Sequence, residues 1–463
     1  MPRLLTALGL ALAVAACRPE VLRPPAADPE GRAGSDAAST AVGVAPEPAT
    51  PSPPAAPPPP LVDADGNDDP VDTGAGPFPE RARFERVGRA PLALRRMCHL
   101  MPFGGALYAA HAIQPLDMDG ATITRYDPRN VAEPFTVAFD WNRPGEPTKN
   151  GGAGQGFLRV HAIGGRLFVP DADPPYNGFE ITEPGTEGYV YVSDRAGAFA
   201  PARMPHHRLP DAPDADGGAG AGILPRAYHV LDVIRYQGRL YASTGSVPPG
   251  ERAWHGPSPG ALHVASADLS RWTFEVDYPH PWQDGVWRLT YLVRYRGRLY
   301  AGLQDYEGNE PNDFVYFDPA PGSTRLVQAD LHPVRVTRGG TARTLRWYAD
   351  DGKLYWIAWA RDGVRLRVTD DGDAWREVSL PRGAGAPSDL TRFRGVLVVL
   401  TERGLYRLDR EPAEPVAMFA SHDGRTPFEV HDHFCTSPLG VLDGELYAGS
   451  QRDGALYRIS EVP

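Results

Sequence analysis

"QGRLYAST" at residues 237–244 and "RGRLYAGL" at 296–303 are the same phrase written twice. Each reads as a β-strand entered through a glycine-closed tight turn. The phrase recurs from Gly105 ("GALYAAH"), Gly165 ("GRLFVPD"), Gly238, Gly297, Gly352 ("GKLYWIA"), Gly395 ("GVLVVLT") and Gly444 ("GELYAGS"). Unequal spacing around a constant core means one structural unit whose loops vary. Five residues before each glycine stand Leu100, Val160, Val233, Leu292, Trp347, Leu390 and Leu439, all apolar. Each unit continues with a further strand, as in "GYVYVSD" (188–194), "GALHVAS" (260–266), "GLYRLDR" (404–410) and "GALYRIS" (454–460). An outer strand follows in "RWTFEVD" (271–277) and "AWREVSL" (374–380). The expected fold is all-β, a seven-bladed β-propeller of four-stranded antiparallel blades. The repeated phrase is the second strand of each blade, its Leu packing between neighbouring sheets.

The last unit supplies only three strands before Pro463, whereas "RARFERVG" (81–88) precedes the first innermost strand and resembles an outer one. It is expected to complete the last blade and close the ring, so that neither chain end leaves an open seam. Cys98 falls in the innermost strand of the first blade and Cys435 enters that of the seventh, its neighbour. They are a candidate disulfide.

The domain occupies residues 81–463. Before it, "MPRLLTALGLALAVAAC" has an early Arg3 and an apolar run too short to span a bilayer. Val14-Ala15-Ala16-Cys17 resembles the lipobox of bacterial lipoproteins. That resemblance implies cleavage after residue 16, lipid on Cys17 and, with Arg18 next, delivery to the outer membrane. An exported location permits a disulfide. Residues 17–80, as in "PATPSPPAAPPPP", have almost no large apolar side chains and read as a disordered Pro/Ala-rich tether. Within it Asp63, Asp65, Asp69 and Asp72 surround Gly66 as a weak calcium candidate, lacking an EF-hand's terminal Glu. With 47 Lys and Arg against 58 Asp and Glu, and no basic cluster standing out, nucleic acid is not an expected partner. The domain is expected to be a monomer.

In coarse pattern the domain resembles kelch and BNR (sialidase-type) repeat propellers. The BNR turn box is approached by "VTDDGDAW", through Asp370, Gly372 and Trp375 with Val368 in the Ser place. "SADLSRW" approaches it through Ser266, Asp268 and Trp272, and "SDRAGAF" (193–199) more faintly. In that family such boxes are structural, so they imply a fold rather than an activity.

Six residues before each glycine sit His99, Arg159, Asp232, Tyr291, Arg346, Asp389 and Pro438. Strand alternation puts these at one depth, a polar collar at the channel mouth. Arg159 and Arg346 would donate to an anion or sugar there. The same residues can instead form a self-satisfied network that neutralises the wall. Arg159, Arg288 and Arg346 are three guanidiniums of the kind a sialidase-like site needs, but no Phe-Arg-Ile-Pro-type segment accompanies them. Asp232 and Asp389, on blades across the ring, are a conceivable glycosidase pair. In "EVHDHFC", His431 and His433 share one face with Cys435 in step, a weak zinc or copper candidate. Loops bearing Tyr176, Trp254, Trp282, Trp287 and Tyr306 present aromatic faces suited to sugars or peptides. No P-loop, dinucleotide fingerprint or serine nucleophile elbow is present. The expected function is a lipid-anchored binding or scaffolding module for an envelope protein or glycan. The alternative is a polysaccharide-active enzyme of glycosidase or lyase type.

Overall fold

The computed structural model describes residues 76–91, 94–112, 121–140, 156–172, 188–200, 218–224, 227, 229–245, 260–279, 287–305, 310–339, 342–419, 425–430 and 435–462. All of these residues belong to the unit Pro60–Pro463. The leader, Cys17 and the Asp63–Asp72 loop lie outside the described residues. Among the described residues no helix is long and apolar enough to cross a membrane.

Strand β1 (Ala82–Arg89) comes first. One antiparallel sheet follows in chain order from β2 (Met97–Phe103), β3 (Ala106–His111), β4 (Thr122–Tyr126) and β5 (Phe135–Asp140). A second comprises β6 (His161–Ile163), β7 (Arg166–Pro170), β8 (Gly188–Val192) and β9 (Gly220–Leu224). Next come β10 (His229–Tyr236), β11 (Arg239–Gly245), β12 (Ala261–Ala265) and β13 (Trp272–Asp277), then β14 (Trp287–Tyr295), β15 (Arg298–Asp305), β16 (Phe314–Phe317) and β17 (Leu331–Val334). Further four-stranded sheets are β18 (Arg343–Asp350), β19 (Lys353–Ala360), β20 (Gly363–Thr369), β21 (Arg376–Glu377), and β22 (Pro387–Phe393), β23 (Val396–Thr401), β24 (Gly404–Arg407), β25 (Glu414–Met418). The last joins β26 (Leu439–Leu442), β27 (Glu445–Gly449) and β28 (Ala455–Glu461) to β1.

The expectation of seven separate blades is corrected on one point. Five sheets are four-stranded, whereas β10–β17 form a single eight-stranded sheet, because Gly245 of β11 pairs with Arg288 of β14. Gly245 has no Cβ, and one added there would lie 2.2 Å from Arg288 Cγ, so only glycine lets the two strands come this close. The outer strand expected over 374–380 is also shorter, only Arg376–Glu377. The arrangement is that of a propeller: the innermost strands β10, β14, β18, β22, β26, β2 and β6 adjoin one another in that order, and β10 packs against β7 and β8 of the sheet that β6 opens.

Every turn from an innermost strand to the second has both central residues in the left-handed region, with φ between +46° and +79°. This is the type I′ geometry whose twist matches antiparallel strands, and it explains why glycine holds the second turn position throughout. The phrase's leucine then enters the sheet interior. Leu107, Leu167, Leu240, Leu299, Leu354, Leu397 and Leu446 are all buried, and each shares a cluster with the apolar residue on its neighbouring innermost strand. The core is thus a series of inter-sheet layers. Even within the eight-stranded sheet, Tyr241 and Leu262 of the first half pack with Leu292 and Leu299 of the second.

β1 pairs antiparallel with β28 from Ala82 opposite Glu461 to Arg89 opposite Ala455. Its Phe84 sits 4.8 Å from Phe428 between ring centroids, with Phe419 and Tyr457 at 6.0 and 6.5 Å. Packing begins earlier than the expected domain start: Phe78 meets Phe393 edge-on at 6.2 Å, and Arg407 lies over its ring at 5.0 Å.

Candidate functional site

The innermost strands do not alternate strictly. Register shifts fall between Met97 and His99, Val230 and Asp232, Leu289 and Leu292, Thr344 and Arg346, and Pro387 and Asp389. A bulge inserts a residue and re-aims its neighbours, so consecutive side chains are withdrawn from solvent together. Cys98, Leu158, Leu231, Thr290, Leu345, Ser388 and Ser437, each one place before the predicted collar, are all buried. Apart from Cys98, singled out as a disulfide candidate, reasoning from alternation missed them. Cys98, Leu158, Leu231 and Tyr291 join Ala112, Ala172 and Cys435 in one cluster with Trp347 against it.

The collar residues close over this cluster. Arg159, 6% exposed, lies 3.7 Å above the Tyr291 ring and donates to the Leu345 carbonyl at 3.3 Å. Arg346, 2% exposed, donates to the Cys98 carbonyl and stands 3.2 Å from the Asp389 carboxylate. Arg346 and Asp389 stand on the neighbouring strands β18 and β22, whereas the contacts of Arg159 with Tyr291 and Leu345 and of Arg346 with Cys98 join units that are not neighbours around the ring, so they cross its centre. Cys98 and Cys435 are joined by a disulfide with Cα atoms 4.7 Å apart. Of the two arrangements expected of these residues, a ligand-facing collar and a self-satisfied network, the contacts are those of the network, and its side chains plug the ring centre.

The acids are spent in the same way. Asp232 accepts the N–H of Val233 at 3.0 Å and, through its other oxygen, that of Leu292 on the next innermost strand at 2.8 Å. Asp389 repeats the pattern with Leu390 at 2.9 Å and Leu439 at 2.8 Å. His99 donates from Nδ1 to the Val160 carbonyl at 2.8 Å, just ahead of β6 in the next unit. Three collar side chains thus staple adjacent units at one register position. His161, which the sequence reading passed over, donates to Asp232 at 2.5 Å. Its neighbour Arg159 belongs to the collar, so a wider window along this strand finds it.

Burial pushes the Asp389 carboxyl up to about 7, against the pull of the Leu439 N–H and of Arg159. Burial, then Arg159, holds His99 well below the ordinary histidine range, so it is neutral at pH 7. Arg288, the third guanidinium considered, donates instead to His229 Nε2 at 2.9 Å and Gln304 Oε1 at 3.4 Å. A carboxylate pair stapled to backbone N–H groups has few lone pairs left for a substrate or a catalytic water.

Outside the plug, Cys435 is consumed by the disulfide and so is withdrawn from the proposed metal set. His431 and His433 lie outside the described residues, as do Tyr176, Trp254, Trp282, Tyr306 and the side chain of Trp287. Among the described residues no group of three His, Cys, Asp or Glu side chains is placed to hold a metal.

The outer turns use side chains as closures. Ser266 donates to Asp268 at 2.6 Å, Asp268 accepts the Ser270 N–H at 3.1 Å, and Trp272 is buried. In the stretch 368–375 the register differs from expectation by one residue. Asp371, rather than Asp370, accepts the N–H groups of Asp373 and Ala374 at 2.9 and 2.8 Å, and Thr369, rather than Val368, supplies the hydroxyl, at 2.9 Å from Asp371. In 193–199, Asp194 accepts from Ala196 and Ala198 at 2.9 and 2.8 Å.

No protein-family model matches the chain, and no curated protein matches it significantly. Among solved structures it is similar to the extracellular domain of a hybrid two-component system from B. thetaiotaomicron, at 8% identity and TM-score 0.47, covering 82% of this chain and 40% of that one. It is also similar to the WD40 β-propeller domain of Doa1 (10% identity, TM-score 0.39, 82% and 97% covered). BamB from Moraxella catarrhalis is a third (9% identity, TM-score 0.36, 81% and 97% covered). The chain spans about two fifths of the length of the first of these. At this level of identity no residue inherits a role from them.

Proposed function

We propose that the protein is a lipoprotein of the cell envelope, held at the outer membrane through lipid on Cys17, whose ring binds or scaffolds an envelope protein or glycan. One observation carries the choice of binding over catalysis: the collar acids and arginines are engaged in stapling strands and plugging the ring centre. This argues against the alternative, a polysaccharide-active enzyme with its site at the channel mouth, because Asp232 and Asp389 each already accept two backbone N–H groups. Recognition then falls to the loops, whose aromatic residues suit a sugar or peptide face. The side-chain-closed turns at Ser266–Trp272 and Thr369–Trp375 support kinship with BNR-type propellers.

The test is capture from the organism's envelope fraction by the full chain, beside the same chain carrying Asp232→Asn or Arg346→Ala. A partner retained by every variant that still melts cooperatively supports the binding module. Loss of glycan cleavage in Asp232→Asn that still melts cooperatively would restore the enzyme reading.

A further inference from the structure

The turns between β10 and β11, β14 and β15, β18 and β19, and β22 and β23 share one rim of the ring. The Tyr236 hydroxyl donates to the Gly297 carbonyl at 2.5 Å and that of Tyr295 to Gly352 at 2.7 Å. Arg392 grips Asp350 at 2.8 and 2.5 Å, and Arg394 donates to the Gly444 carbonyl at 3.5 Å. Each turn is thereby fastened to the next.

Between the turns at Gln237-Gly238 and Arg296-Gly297 lies a cleft of about 490 Å³, lined by Tyr236, Gln237, Arg294, Tyr295, Arg296 and Gly297. Ligand clefts usually measure about 300–1,000 Å³. The lining holds two guanidiniums, an amide and two tyrosines, and none of its residues is acidic. Arg296 sets its Nε–H on the Tyr295 hydroxyl at 3.2 Å and lies 5.7 Å from that ring, so its charge rests on neutral groups. Asp351 and Asp443 are the carboxylates at equivalent turn positions, and both stand on other turns. A second observation concerns where the chain arrives. Arg394, in a turn of the same rim, donates to the Pro77 carbonyl at 3.2 Å, so the first described residues meet the ring on this side.

We propose that the Arg294–Arg296 cleft binds the phosphate of an anionic phospholipid headgroup, docking this rim on the membrane that holds the chain. The docking half of the proposal rests on the lipid-anchor reading of Cys17; the headgroup site does not. Guanidiniums pair with phosphate through charge-assisted hydrogen bonds. A chain of net charge -11 is repelled by an anionic surface, so a local cationic cleft decides which part of it approaches.

The full chain carrying Cys17→Ala is mixed with vesicles of phosphatidylcholine alone, or of phosphatidylcholine with phosphatidylglycerol, and co-sedimentation is followed at low and high salt. Any binding through the leader is read from the phosphatidylcholine vesicles. The expected result is salt-sensitive binding that needs phosphatidylglycerol and weakens roughly tenfold or more in Arg294→Ala plus Arg296→Ala. Arg83→Ala plus Arg376→Ala removes equal charge from exposed outer strands and should leave binding unchanged. Melting temperatures confirm that each variant folds, and Arg296→Lys should recover part of the binding. Equal binding to both vesicles, equal loss in the two pairs, or inorganic phosphate held as tightly as vesicles would each overturn the proposal. Mass spectrometry of Cys17 from membrane-extracted wild-type chain reads the anchor separately. An unmodified Cys17 with phosphatidylglycerol-dependent binding ends the anchor reading and leaves the headgroup site standing; an acylated Cys17 without that dependence ends the site.

Discussion

Asp389 gives one carboxylate oxygen to its own strand and the other to the next, and Asp232 does the same three units away. Replacing either by Asn turns one acceptor into a donor facing an N–H. Each change should cost about 1–3 kcal/mol in chemical denaturation, the usual penalty for a buried polar group left unsatisfied. Two buried groups also tie stability to pH. His111 donates from Nδ1 to the Arg96 carbonyl and accepts at Nε2 from Thr124, and burial holds it down to about 4 from 6.5. The unfolded chain therefore takes up the proton first as pH falls. The stabilisation is full above about 6.5 and drains away towards pH 4, by about 3 kcal/mol at most. Asp389, raised from 3.8 to about 7, has the opposite sign: its contribution is complete below about 4 and is lost as pH rises to about 7. Because the slopes oppose, the check is a difference. Denaturation of His111→Gln and of Asp389→Asn, each minus the parent between pH 4 and 7, should give slopes of opposite sign; slopes of the same sign would refute the assignment.

At the scale of the element, backbone handedness and close approach can be separated. Gly238 has φ +71° with nothing within 4 Å of an added Cβ, so Gly238→Ala isolates the left-handed strain and should cost about 1–2 kcal/mol. Gln237 beside it holds φ +49°, a conformation asparagine tolerates better, so Gln237→Asn should leave the melting temperature unchanged or slightly raised. Gly245→Ala tests approach instead, since its Cβ would strike the near end of the Arg288 side chain. It should lower the melting temperature more than Gly238→Ala and expose the bridge between β11 and β14 to amide exchange.

For the whole molecule, closure is the decisive feature. β1 completes the sheet of β26–β28, and the disulfide links chain positions separated by 337 residues. In the chain-entropy account a loop of that length stabilises by roughly 4–5 kcal/mol before strain. Cys98→Ser with Cys435→Ser should therefore lower the denaturation midpoint while leaving the ring folded. Deleting Ala82–Arg89 should do more, because it removes Phe84 from its aromatic partners and leaves β28 as an open edge. Limited proteolysis starting at β28 would register this; resistance equal to the parent's would show that the seam does not depend on β1.

The repeated Gly-x-Leu-Tyr phrase determined, by itself, the strand–turn–strand unit, its glycine position and its buried leucine. Left-handed turns and two-residue alternation are steric properties of a few adjacent residues, so they are written locally. The polar positions of the candidate site were also legible, as residue types at one offset from each glycine. Their roles were not. Whether Asp389 meets a ligand or the Leu439 N–H, whether Arg346 opens a channel or closes it over Cys98, and whether β11 pairs with β14 depend on atoms far apart in sequence and on bulges that rotate each strand. Only the closed ring brings those groups to hydrogen-bonding distance, and burial there decides which of them must be satisfied by protein rather than by solvent.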